Sequence, residues 1–183
     1  MKRENGIIAW PTYFSRGHLL GQIVNAFTCT GAYAVLIMTG LKRVENRSAV
    51  PCPLMGRCAV TVSRSFRRGE FDNLLTWLRD RLPEAIYAML PTWDDVKGWP
   101  GHVVGTIDYS VKDSAACSED ELLQRRIWNE NYPCWWHLAN PKVFNATIPC
   151  RGNVGMWRLP PDLAAAVSRY EKWGQSPDEA GQE

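Results

Sequence analysis

The run Ala32-Tyr33-Ala34-Val35-Leu36-Ile37-Met38, closed by Gly40 and followed by Leu41-Lys42-Arg43-Val44-Glu45-Asn46-Arg47, constrains this chain more than any other segment. The run is far too short to span a bilayer, and it reads as a buried helix over Gly31 to Met38. Gly40 is placed to take the left-handed conformation that stops such a helix. A buried element thus delivers a lysine, a carboxylate and an arginine in quick succession. If Arg43 to Arg47 is extended, alternation points Glu45 and Arg47 to one face. Lys42 joins them if the turn after Gly40 reorients it. Three such charges can fix a phosphate or the polar edge of a base, or neutralise one another on a solvated turn.

Charge distribution bears on that choice. The formal net charge is only +2, yet Lys42 to Arg68 holds seven basic residues against Glu45 alone. A basic face on a near-neutral chain suits an anionic partner that docks in one orientation; a solvated charged face is the plainer reading. Nine Trp residues strengthen both a core and a ring-stacking reading. The six cysteines form no C-x-x-C pair, and with three His no zinc spacing emerges, so no metal or other cofactor is expected. A polar N-terminus without a long apolar stretch predicts free thiols, a cytoplasmic location and no membrane partner.

Residues 1–20 read as an irregular arm, 21–159 as the folded domain, and 160–183 as a helix followed by a polar, disordered tail. Gln22 to Thr28 and Arg57 to Ser63 alternate as strands, and His102 to Tyr109 reads as a central strand. Phe71, Leu74, Leu75 and Leu78 set an apolar helical stripe from about Gly69 to Arg81, ended by Pro83. The segment 83–100, with Pro83, Pro91 and Pro100, reads as a loop insertion. Ser118-Glu119-Asp120-Glu121 is a capping box opening a helix to about Asn129. Pro133 to Leu138 and Ile148 to Arg158 read as strands, and Pro160-Pro161-Asp162 opens a last helix with Leu163, Val167 and Tyr170 on one face. Strands and helices mix without βαβ regularity, which predicts an α+β fold around a curved or barrel-like sheet.

No hydrolase elbow, P-loop, metalloprotease or dinucleotide fingerprint is present. His137 and Cys134 read better as structural residues than as a catalytic pair. The polar set that can converge is Lys42, Glu45, Arg47, Asp108 and Arg57. A lysine in a part-apolar cleft can act as base or steady an oxyanion, with Asp108 to orient it; a turn-capping carboxylate is the other reading of Asp108. Bases interleaved with rings are what single-stranded nucleic acid needs, with phosphates paired and bases stacked. On this reading Tyr33, Lys42, Arg47, Arg57, Arg64 and Trp135 are the nucleic-acid-binding candidates.

Several blocks together resemble the ASCH domains, a branch of the PUA-like superfamily. Gly40 to Arg47 is similar to their G-x-K-x-x-E-x-R signature, preceded by Ala32-Tyr33-Ala34. Gly56 to Ser63 and Val103 to Asp108 resemble their next strands. Trp135 to Pro141 and Pro149 to Trp157 resemble their closing segments. These blocks keep the family order over about residues 22–158. The resemblance implies a small PUA-like β-barrel with flanking helices and a cleft floored by Lys42. It also implies RNA, single-stranded nucleic acid or a modified nucleoside as partner. One short-chain branch hydrolyses N4-acetylcytidine with a lysine, a threonine three residues later and a central-strand glutamate. Here those positions are Lys42, Glu45 and, at or near it, Asp108, so the branch's hydroxyl nucleophile is missing. Where the family often has Gln-Pro-Trp, this chain has Gly31-Ala32-Tyr33, which keeps a ring and loses the amide. The expectation is therefore a binding cleft. The alternative is a hydrolase of acetylated nucleosides, or a ribonuclease, using Lys42 and Glu45.

Overall fold

The computed structural model describes residues 23–47, 55–111, 117–119, 122–123, 127–128 and 134–173. The arm expected over 1–20, the tail after Gly174 and most of the helix expected from Ser118 to Asn129 lie outside them. Six strands form the sheet: β1 (Asn25–Cys29), β2 (Val44–Arg47), β3 (Met55–Val62), β4 (His102–Val111), β5 (Cys134–Pro149) and β6 (Met156–Arg158). Their spatial order is β2-β5-β4-β3-β1-β6, in one curled, half-barrel sheet. β1 and β3 run parallel and the other pairs are antiparallel. The fold is α+β.

Curling follows from breaks in pairing and from one side chain that bridges the opening. The β4–β5 register advances two residues on β4, from Thr106 to Asp108, while β5 takes three, from Lys142 back to Ala139. The extra residue falls at Asn140-Pro141, and Asn140 adopts a positive φ of 51°. Such a bulge bends and twists its strand and accommodates a proline without losing the ladder. β5 is accordingly one 16-residue strand, where the sequence suggested a strand ending at Leu138 and another over Ile148 to Arg158; the latter divides instead between the end of β5 and β6. β1 and β2 share no ladder, but Arg47 Nη2 donates to the Thr28 carbonyl at 2.9 Å, linking the two across the curl.

The helices whose full length lies among the described residues are α1 (Gly31–Met38), α2 (Arg68–Arg79), α3 (Glu84–Tyr87), α4 (Trp93–Val96) and α5 (Pro161–Trp173). The larger core lies on the inner sheet face, where Cys58, Val60, Val104 and Ile107 meet Val35, Leu36 and Ile37 of α1 and Phe71, Leu74 and Leu78 of α2. Each large apolar side chain so buried contributes roughly 1.5–3 kcal/mol of transfer free energy. The opposite face is covered by Ala164, Val167 and Tyr170 of α5, packed on Ala59, Val103 and Phe144. Residues 83–100 differ from the loop expected of them: two one-turn helices form there, and Val96 and Trp99 are buried in the larger core. A Cβ on Gly31 would lie 1.8 Å from the Phe66 ring, so only glycine lets the start of α1 press on that ring. The same helix start is capped from α2, where Glu70 Oε1 accepts from the Ala32 N–H at 3.2 Å.

Candidate nucleobase cleft

Lys42 reaches its place through the stop of α1. Gly40 takes a φ of 75°, its N–H bonds to Ile37, and the Lys42 N–H returns to the Leu36 carbonyl at 2.9 Å. This reversal folds the lysine beneath the helix, where it is 1% exposed. Its ammonium donates to the Val44 carbonyl and lies 3.4 Å from Glu45 Oε2. Glu45 is set by β2, opposite Trp136 in the ladder, and its other oxygen meets Arg47 Nη2 at 2.7 Å. The alternation expected of Glu45 and Arg47 thus places both beside one lysine.

Rings enclose the charges. The Lys42 ammonium is 5.0 Å from the centroid of Tyr33 and 5.6 Å from that of Trp128. The Arg47 guanidinium is 5.4 Å from the Phe27 ring and 5.4 Å from the Trp136 ring. Cation–π attraction at such distances offsets part of the desolvation of the two cations. Arg47 Nε is a buried donor with no acceptor among the described residues, whereas the Trp136 indole N–H is turned to the Cys134 thiol. Buried donors are nearly always paired, so the free Arg47 Nε suits an incoming carbonyl or phosphate oxygen. Cys29 borders the cluster, but burial first, and then the Glu45 charge, push its thiol well above the ordinary range. It is therefore no thiolate nucleophile. The cluster gathers a carboxylate, two cations and aromatic faces, the kinds of group by which a flat polar ring is recognised.

Asp108 and Arg57 belong elsewhere. Ile107 and Tyr109 point into the inner core, so Asp108 between them faces the α5 side. There Arg57 Nη1 donates to Asp108 Oδ1 at 2.9 Å, Nε to Glu171 Oε1 at 2.7 Å, and Nη2 to Thr106 Oγ1 at 3.0 Å. Asn140 Nδ2 completes the set on Asp108 Oδ2 at 2.8 Å. Burial opposes the Arg57 charge, but Asp108 and Glu171 more than offset it and raise its pKa. This network clamps α5 to the sheet. Arg57 is thereby engaged by carboxylates, and Asp108 does not orient Lys42. Arg64 is exposed in the turn after β3, against Gly101. Trp135 is half-buried opposite Asn46, on the other face of β5 from Trp136. The structure thus brings Tyr33, Lys42, Glu45 and Arg47 together and leaves Arg57, Arg64, Asp108 and Trp135 apart.

Sequence reasoning missed Trp128, and of the neighbouring pair it assigned Trp135 rather than Trp136 to the site. The Trp135-Trp136 pair was the available signal, since alternation sends only one of two neighbours inward, but the face was not assignable without the register. A cavity of about 630 Å³ lies beyond the other end of α1, lined by residues such as Met38, Asp94, Trp99 and Phe144, and includes none of the cluster. Among the described residues no group of three or more His, Cys, Asp or Glu side chains is placed to hold a metal, and no helix is long and apolar enough to cross a membrane. The chain matches no protein-family model and no curated protein.

Proposed function

We propose that this chain is a PUA-like, ASCH-type nucleic-acid-binding protein that takes a base of a single strand into the Lys42–Glu45–Arg47 cleft. The observation that carries this reading is the buried, unpartnered Arg47 Nε, in a guanidinium held by the Glu45 carboxylate, beside a lysine flanked by two rings. Burying charges costs several kcal/mol per ion unless each is well compensated, and natural chains keep such clusters most often where they act. The resemblance of Gly40 to Arg47 to the ASCH signature supports the same residues. Phosphates flanking the base would meet exposed cations beyond the cleft, because Arg57 is already engaged.

Fluorescence anisotropy with single-stranded RNA of about ten nucleotides tests the proposal. Affinity should fall as salt rises, with a logarithmic slope near −1.4 if two phosphates are neutralised. Absence of binding at low salt would remove the reading. A second reading, hydrolysis of an acylated nucleobase or of RNA, would use Lys42 and Glu45 as an acid–base pair, whose 3.4 Å separation would have to shorten on substrate binding for a proton to pass. Turnover of N4-acetylcytidine or RNA that is lost in Lys42→Ala would favour it over binding alone.

A further inference from the structure

Trp77 lies on α2 beside the stripe that faces the core, and it is 38% exposed. Arg81, also exposed, sets its guanidinium 4.4 Å from the Trp77 ring centroid and donates to the Trp77 carbonyl at 2.7 Å. On its other side the Trp77 ring meets Trp128 at 5.6 Å, tilted by 44°. Trp128 is the ring that stands 5.6 Å from the Lys42 ammonium. Arg81, Trp77, Trp128 and Lys42 thus make an unbroken series of cations and rings from the surface to the buried cluster.

An arginine stacked on an indole keeps its outer N–H groups available for a phosphate, and an exposed indole accepts any base on its face. We propose that Trp77 and Arg81 form an outer station for the nucleotide next to the one in the cleft, Trp77 stacking its base and Arg81 pairing its phosphate. The ligand is then a single-stranded chain rather than a free nucleoside. This inference rests on the cleft reading above. A protein partner would also cover an exposed Trp, but it would have no use for a series of rings continuous with a buried lysine.

Affinities of a random-sequence RNA of about ten nucleotides and of a mixture of the four nucleoside 5′-monophosphates are compared for the wild type, Trp77→Ala, Trp77→Phe and Arg81→Gln, with circular dichroism confirming the fold. Trp77→Ala should weaken the oligonucleotide at least about tenfold more than the monophosphates, and Trp77→Phe should restore most of that difference. Arg81→Gln should make the salt slope shallower by about 0.7. Equal losses for both ligands would overturn the outer station and leave the cleft reading intact. A wild type that binds neither would overturn the cleft reading, and the station with it. Unchanged RNA affinity in Trp77→Ala, with self-association lost in sedimentation, would make Trp77 a protein contact and also overturn the station.

Discussion

Replacing Glu45 with glutamine keeps the shape of the cleft and removes the charge that holds it together. The carboxylate stands 3.4 Å from the Lys42 ammonium and 2.7 Å from the Arg47 guanidinium. At an effective dielectric of about 20 those attractions are roughly 5 and 6 kcal/mol before desolvation is counted. Most of that gain offsets the cost of taking the ions out of water, and removing one partner of a buried pair costs about 3–5 kcal/mol. Glu45→Gln should therefore destabilise the protein by about that amount and lower Tm by roughly 6–20 °C for a domain of this size. Urea unfolding gives the number directly, as a shift of midpoint at constant slope. The loss should persist in high salt, because screening acts weakly on buried charges. Asp108→Asn is the matched control: its side chain is 40% exposed beside Arg57, and the cost should stay within about 1 kcal/mol. A Glu45→Gln loss below about 1 kcal/mol, or one erased by salt, would mean that the three charges are hydrated, and the argument from a desolvated cluster would fail.

Gly105→Ala should cost about 1–3 kcal/mol in the same assay, because the added Cβ would lie 2.2 Å from the Lys142 carbonyl oxygen and 2.5 Å from Met38 Cε. Glu171→Gln should loosen α5, lowering stability by about 1 kcal/mol after allowance for its partial exposure, and should speed amide exchange in Pro161–Trp173. Burial raises the Cys29 and Cys58 thiols far above their ordinary value of 9.0. Both should resist alkylation in the native state. Their contribution is fully present below that value and is lost above it, where the unfolded chain ionises first, so stability should decline from about pH 9 upward in a pH series of urea melts.

The octapeptide made the cluster legible because its spacing is local. A glycine stop and period-two alternation suffice to bring Lys42, Glu45 and Arg47 to one side. Asp108 was not legible in the same way. His102–Val111 is covered on both faces, by α1 on one and α5 on the other, so Val103 and Val104 are both buried and the pattern does not say which way Asp108 points. Register information was needed again at Asn140-Pro141, which looks like a strand end until the bulge absorbs it. The prolines of 83–100 hid a different fact, since Val96 and Trp99 fill the core between two single helical turns. Trp128 was beyond local reasoning, because its approach to Lys42 is a contact between residues 86 positions apart in the sequence. The fold class was readable from periodicity, whereas the rings around the charge cluster depended on long-range packing.

Ultraviolet crosslinking of bound single-stranded RNA, followed by peptide mapping, tests the central claim most directly, because stacked rings are the groups that crosslink. The account predicts adducts at Tyr33 or Trp128, weakened in Glu45→Gln along with the affinity. Crosslinks confined to peptides of α5 or to the Arg57 face of β3, with the cleft rings unmodified, would contradict it.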